Sequence, residues 1–427
     1  MKILVLSNSE WDDGNSFGST FSNILSFESS NHIANIYCRN GTPYTTTCGH
    51  FLSMGEKNLL RFAFKKEDFP EKTNRHDYEN NHASTSYSQK IKNFAKNHRW
   101  LIFFWMRELL WLVTPWKKSE SLKHYVTTFA PDIIFLPIYS FSYINKLACH
   151  LSKSYNIPMV GYVSDDEYSY NPYKKSLFYK FNKYYQRKWI KRAIDECHIL
   201  YTISDLQKKE YEIIFGKKCK VLTKGASFLT KPPYQSHQPI RLTYIGNIGT
   251  GRWRSLALLA EAINSINEKK IVITLNIYTG TPYTKEMLTA FDKSGVRAHP
   301  HINSNKIKEE VDKSDILIHV ESFNAVDMFA VHQSFSTKIV DYVASGKCLL
   351  GIGPYSVASI ALLKDNDLAL TCTNSEDILP CLQIFLNDSS ILKQYSDKAW
   401  SKGQQLFDIR KIHSELEEDF KHVIACK

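Results

Sequence analysis

The sequence predicts an α/β protein of two lobes, each built round a parallel sheet. Three observations carry this. Short apolar runs recur along the chain and end in polar or glycine-containing turns that open helices, as at residues 2–6, 132–137, 158–163, 240–245 and 315–320. Near the middle, Lys231-Pro-Pro-Tyr-Gln-Ser-His-Gln-Pro239 has three prolines and no periodicity, and a new strand begins directly behind it. The 427 residues, 43% of them hydrophobic, exceed what one ordinary core holds. The implied division is residues 1–235 for a first lobe, 236–400 for a second, and a C-terminal helix at 401–427 that packs back on the first.

Taken in order, the run at residues 2–6 is a buried strand of parallel type. The polar loop behind it, with Gly14, Asn15 and Gly18, leads into a helix over residues 19–27. The glycines permit close backbone approach and Asn15 offers a polar contact, although any βα turn has similar composition. Residues 64–89 are polar and aperiodic and read as an exposed loop or insertion. Lys90, Lys92, Lys96 and Arg99 then precede the most apolar stretch, residues 100–116, which holds Trp100, Trp105, Trp111 and Trp116; Lys117, Lys118 and Lys123 follow. Interrupted by Arg107 and Glu108, it is too polar to span a bilayer. Tryptophans between cations suit an interfacial helix on an anionic membrane surface, and the same run suits a core helix of the first lobe.

Residues 132–137 and 158–163 are further buried strands, separated by a helix over Ser142–Tyr155. The second runs into Ser164-Asp165-Asp166-Glu167. Carboxylates at a strand's carboxyl end lie where such a lobe places its site, so Asp165 or Asp166 can orient an acceptor hydroxyl or take its proton; a solvated acidic turn has the same residues. Leu177, Phe178, Phe181, Tyr185 and Trp189 fall on one helical face with Lys174, Lys180, Lys183, Arg187 and Arg192 around the other, the pattern of a solvated amphipathic helix. No recognition-helix or RNA-binding signature accompanies these cations, so no nucleic-acid partner is expected. Strands at 197–204 and 220–225 complete the lobe.

The second lobe opens with the strand at 240–245 and the turn Gly246-Asn-Ile-Gly-Thr-Gly-Arg252. Gly-x-x-Gly-x-Gly differs from the dinucleotide fingerprint, which argues against a nicotinamide dehydrogenase. Glycines here let backbone N–H groups approach phosphate, and Arg252 can grip two phosphate oxygens at once. Later, Ile339, Val340 and Val343 have helical spacing, Gly346 is placed to end that helix, and Cys348–Ile352 is again strand-like. Lys338 sits in the first turn, where the helix macrodipole disfavours a cation, so a bound anion would complement it; otherwise it is an ordinary exposed lysine. Asp341 follows one turn later and can accept sugar hydroxyls.

A formal net charge of +11 and a pI near 9.0 favour anionic partners. Nine scattered cysteines without Cys-x-x-Cys spacing indicate neither a zinc site nor a disulfide framework and fit a reducing cytoplasm. The N-terminal residues lack the pattern of a signal peptide.

The pattern Ser-x-Lys-x-x-Asp-Tyr-x-Ala-x-Gly-Lys at residues 336–347 resembles the nucleotide-sugar signature of family 4 glycosyltransferases of the GT-B fold, of the polysaccharide-biosynthesis type. The family carries Glu at the position of Asp341 and again eight residues earlier, where this chain has Gln333. The resemblance implies two Rossmann-like lobes facing a central cleft, with a C-terminal helix returning to the first. It implies a nucleotide-diphosphate sugar in the second lobe, held by Gly246, Asn247, Gly249, Arg252, Ser336, Thr337, Lys338 and Asp341, with His301 of the loop His299-Pro-His-Ile bordering the base. Gly14, Asn15 and Gly18 would face the acceptor, a glycan or lipid-linked molecule. Arg252 and Lys338 would stabilise the departing diphosphate, with Asp165 and Asp166 on the acceptor side, in a retaining transfer that uses the nucleotide sugar as co-substrate and needs no metal or other cofactor. Asp365-Asn-Asp367 reads as a turn. The setting expected is cytoplasmic, at the periphery of an anionic membrane. A sugar-nucleotide epimerase of the same fold, or a non-enzymatic basic protein binding membrane or nucleic acid, are the alternatives.

Overall fold

The computed structural model describes residues 1–73, 101–388 and 390–426. Strands β1 (Ile3–Ser7), β2 (Ile33–Tyr37), β3 (His50–Ser53), β4 (Ile133–Pro137), β5 (Met159–Val163), β6 (Ile199–Thr202) and β7 (Cys219–Val221) form one parallel sheet in the order β3-β2-β1-β4-β5-β6-β7. Strands β8 (Ile240–Ile245), β9 (Ile273–Tyr278), β10 (Val296–His299), β11 (Ile316–Val320), β12 (Cys348–Ile352) and β13 (Leu370–Cys372) form a second, in the order β10-β9-β8-β11-β12-β13. The chain is thus α/β with two Rossmann-like lobes. Each sheet reverses its winding beside its first strand, between β1 and β4 and between β8 and β11, and at such switch points the carboxyl ends of the strands leave a crevice for ligand. Helix termini follow local chemistry: Gly346, at φ 67°, ends the Lys338–Ala344 helix without the steric cost a Cβ would bring.

Because a strand's side chains alternate, the first sheet has two cores. Ile3 and Val5 point toward Phe21, Phe135 and the C-terminal helix, while Leu4 and Leu6 point toward Leu136, Tyr143 and Trp111. The Ser390–Phe407 helix stays with the second lobe, where Gly403 lies so close to Val343 and Phe228 that a Cβ would fall 2.2 Å from Val343 Cγ1. At Asp408, which caps the next helix by accepting from Arg410 N–H, the chain crosses over. The Ile409–Ala425 helix then lays Leu416, Phe420 and Val423 against the first lobe, and Tyr201 donates a 2.8 Å hydrogen bond to Asp419.

The packing decides between the two readings of residues 100–116. In the Leu101–Val113 helix Trp111 is buried, stacked on Tyr143 with centroids 5.1 Å apart, and Trp116 in the following turn is buried edge-on to it. These tryptophans are core residues, contrary to the expectation that they anchor the chain in lipid. Trp105 lies between Phe181 and Tyr185. Trp100, Lys90, Lys92, Lys96 and Arg99 lie outside the described residues. The charges that interrupt the run also point inward: Arg107 pairs with Glu56 at 2.7 Å, and buried Glu108 accepts from Ser142 N–H at 2.8 Å and from its hydroxyl. Burial pushes the Glu108 carboxyl up, against the pull of Ser142's hydrogen bonds. The Leu177–Glu196 helix departs from its expected orientation in its first half, burying Asn182, Lys183 and Gln186 while exposing Leu177, Phe178 and Phe181; in its second half Ile190, Ala193 and Ile194 are buried and Lys188 and Arg192 exposed, as the amphipathic pattern predicts.

Candidate functional site

The second switch point is lined from β8, β11 and the segment leading into the Lys338–Ala344 helix. Behind β8 the turn holds itself: Asn247 Oδ1 accepts from Gly249 N–H at 2.6 Å and from the Thr281 hydroxyl, and Tyr244 donates to Asn247 O at 2.7 Å. Gly251 has φ 70°, and a Cβ there would come within 2.1 Å of Asp327 Oδ2. A Cβ on Gly246 would meet the Lys338 ammonium at 2.9 Å, so this glycine makes room for the cation.

A cavity of about 180 Å³ opens here, and Arg252, Lys338, Asn247, Ser336, His319 and Tyr342 are among its walls. Lys338 Nζ donates to Ile245 O at 3.1 Å and, among the described residues, meets no carboxylate within ion-pair distance. Burial, with Arg252 nearby, holds its ammonium below the usual lysine range, and Asp341 opposes that effect only in part. Arg252 differs from the expectation of a free phosphate grip. Its Nε and Nη2 make a fork-like pair with Glu321 at 2.9 and 3.1 Å. Glu321 is buried at the end of β11; burial raises its carboxyl, and the charge and hydrogen bonds of Arg252 oppose that rise. One edge of the guanidinium remains for a ligand.

His319, one residue inside β11's end, is buried with Nε2 2.8 Å from the Ser359 hydroxyl. Burial, then the positive charges of Arg252 and Lys338, push its pKa down to about 3, so it is neutral at physiological pH. The site therefore holds two cations against one buried carboxylate, and the excess positive charge faces the cavity. Sequence reasoning missed Glu321 and His319. A glycine turn ending in arginine gave a signal, since a buried guanidinium needs a carboxylate partner and the neighbouring strand end is where one would lie.

The other expected residues are distributed as follows. Thr337 occupies the N-cap position of the Lys338–Ala344 helix without capping it through its side chain. Asp341 points to the first lobe, where Lys224 Nζ holds both its oxygens at 2.6 and 2.8 Å. His301 is exposed beside Gly280 and is not among the residues lining the cavity. Gln333 is buried between the lobes: its amide donates to Glu210 and accepts from Gln207, while Ser204 donates to its carbonyl at 3.0 Å. It is thereby committed to holding the lobes together. Ser334 donates to Asp165 at 2.8 Å across the cleft. Asp166 closes its own turn by accepting from Tyr168 and Ser169 N–H, which leaves it a local structural part. Asn15 caps the Ser16–Leu25 helix by accepting from Gly18 N–H, and Gly18 is needed because a Cβ would lie 2.1 Å from Asp12 O. Gly14 N–H donates to Asp12.

Two Rossmann-like lobes in this order, facing across a cleft and tied by a C-terminal helix that returns to the first, are the GT-B fold of glycosyltransferases. Among solved structures the chain is similar over its whole length to Anabaena HepE in complex with UDP, at TM-score 0.62 and 12% identity, covering 99% of this chain and 100% of that one. It is also similar to sucrose-phosphate synthase from Thermosynechococcus elongatus, at TM-score 0.62 and 10% identity with 100% of both chains covered. A third similar structure is α,α-trehalose 6-phosphate synthase from Burkholderia multivorans, at TM-score 0.57 and 10% identity, covering 100% and 97%. No family model matches the sequence, and no curated protein matches it.

Proposed function

We propose that the protein is a glycosyltransferase that moves a sugar from a nucleotide-diphosphate donor in the second lobe to a glycan or lipid-linked acceptor against the first. One observation carries this: Arg252 and Lys338 converge, with excess positive charge, on a cavity at the β8–β11 switch point of a GT-B fold. Breaking the sugar–phosphate bond gathers charge on the departing diphosphate, and fixed cations in a partly desolvated cavity stabilise that charge where it develops. In this reading the two side chains do the work without a metal, and the transfer retains anomeric configuration. Asp165, which accepts from Ser334 across the cleft, is the carboxylate assigned to orient an acceptor hydroxyl. Asp341 exchanges Lys224 for donor hydroxyls when donor binds. The protein works in the cytoplasm, at an anionic membrane surface.

The test begins with a panel of nucleotide diphosphates and their sugars, headed by UDP because HepE is solved with UDP and UDP-glucose. A ligand at about a hundred times its dissociation constant stabilises a protein by roughly 2.7 kcal/mol, well within reach of a thermal-shift assay. Lys338→Ala is the clean variant, since among the described residues Lys338 bonds a backbone carbonyl and no carboxylate, so that its loss orphans no charge there. It is expected to fold normally and to lose about a hundredfold or more in turnover. A folded Lys338→Ala protein with full activity refutes the mechanism. Diphosphate release without any acceptor turns the reading toward an epimerase or hydrolase.

A further inference from the structure

Among the described residues of the Leu101–Val113 helix, every exposed side chain is apolar: Phe103, Met106, Leu109, Leu112 and Val113. Leu112 is 71% exposed while its neighbour Trp111 is buried. The adjoining Leu177–Glu196 helix exposes Leu177, Phe178, Phe181 and Tyr184 beside it, the two being joined where Trp105 stacks on Phe181 at 5.9 Å. The first helix turns Arg107 and Glu108 inward beside Trp111, and the second buries Asn182, Lys183 and Gln186 near the apolar side chains it exposes. A contiguous apolar face of this kind on a globular protein marks a contact surface. No helix among the described residues is long and apolar enough to cross a membrane.

Next to this face lies a cavity of about 680 Å³, walled by Trp111, Trp116, Trp189 and Tyr143. Its charged lining is wholly basic: Lys117, Lys118, Lys146, Lys153 and Arg192. Lys153 is paired with Glu196 at 2.5 Å, but the other four have no carboxylate within ion-pair distance among the described residues. Lys146 rests over the Trp189 ring at 4.8 Å and donates to the Tyr185 hydroxyl. Leu112 belongs both to the apolar face and to the cavity wall, so the two are continuous.

We propose that this face docks on an anionic bilayer, the apolar stripe entering the boundary of the acyl region and the basic cavity receiving the phosphate of a lipid headgroup. The order of chemistry selects this occupant over an acidic protein. Cations stand at one edge of a broad apolar strip, as headgroup phosphate stands over acyl chains, and long lysine stems reach from one layer to the other. This deepens the reading above by naming how the first lobe meets a lipid-linked acceptor. It moves the contact from the tryptophans to the opposite face of the same helix.

The experiment is co-sedimentation of the whole protein with vesicles of phosphatidylcholine, alone or mixed with phosphatidylglycerol, alongside calorimetry with UDP. Wild type is expected to bind the anionic vesicles, with a remainder that resists high salt, and to bind neutral vesicles weakly. Lys117→Ala/Lys118→Ala should weaken binding about 25-fold, from about fivefold for each cation removed. Leu109→Ser/Leu112→Ser should remove the salt-resistant part. Both variants should bind UDP as wild type does. If wild type binds UDP but ignores anionic vesicles at low salt, the docking proposal falls and the transferase reading stands; vesicle binding without any nucleotide binding does the reverse. Unchanged vesicle binding in both variants overturns the assignment of this face. So does a concentration-dependent dimer that Leu109→Ser/Leu112→Ser dissolves, or competition by inorganic phosphate as effective as the lipid itself.

Discussion

Arg252→Ala is expected to damage the fold before it damages any chemistry. Glu321 is 4% exposed at its side chain and receives two hydrogen bonds from Arg252, at 2.9 and 3.1 Å. The next basic group, His319, is 3.6 Å away but neutral, because burial and its cationic neighbours keep it unprotonated. Truncating Arg252 thus strands a buried carboxylate, a change that costs about 3–5 kcal/mol. The pH dependence has a definite sign. Burial already raises Glu321, and without Arg252 its folded pKa rises further above the unfolded value, so the folded variant binds the extra proton. The deficit is therefore largest above that raised pKa and shrinks as pH falls through it. Urea unfolding at pH 8 and pH 6 measures both effects, and Arg252→Ala/Glu321→Gln should recover much of the loss by removing the stranded charge. An Arg252→Ala protein within about 1 kcal/mol of wild type at pH 8, or a double variant no better than the single, refutes the argument.

Two further outcomes follow from burial. His319 titrates near 6.5 when unfolded and at about 3 when folded, so the unfolded chain binds more protons between those values. Its stabilising contribution is complete above pH 6.5 and is lost as pH falls, by roughly 5 kcal/mol at the acid end; His319→Asn should flatten that limb of the stability curve, and parallel curves would refute the assignment. Neighbouring Trp111 and Leu112 should behave oppositely in denaturation: Trp111→Ala should cost about 3–5 kcal/mol and Leu112→Ala less than about 0.5 kcal/mol. Equal losses would mean that the helix faces are misassigned.

What the sequence alone determined is what short-range periodicity encodes. A strand buried on both faces reads as a largely apolar run, which is why β1, β4, β5, β8, β11 and β12 were legible, as were the glycine turn and the Ser142–Tyr155 helix. Strands β2, β3, β10 and β13, each brief or broken by a polar residue such as Asn35, Arg297 or Thr371, passed unnoticed, because only pairing with neighbours distinguishes such pieces from loop. The cation pair Arg252 and Lys338 was visible as chemistry next to glycine and at a helix start. Its counter-charge was not: Glu321 meets Arg252 across 69 residues only because β8 lies beside β11 in the sheet. The tertiary structure likewise decided that Asp341 faces Lys224, 117 residues away, and that Gln333 joins the lobes. It also reversed the Leu101–Val113 helix. Hydrophobicity assigns Arg107 and Glu108 to solvent unless buried partners exist, and those partners, Glu56 and Ser142, come from elsewhere in the chain. With the charges satisfied inside beside Trp111, the side chains of Phe103, Met106, Leu109, Leu112 and Val113 face outward.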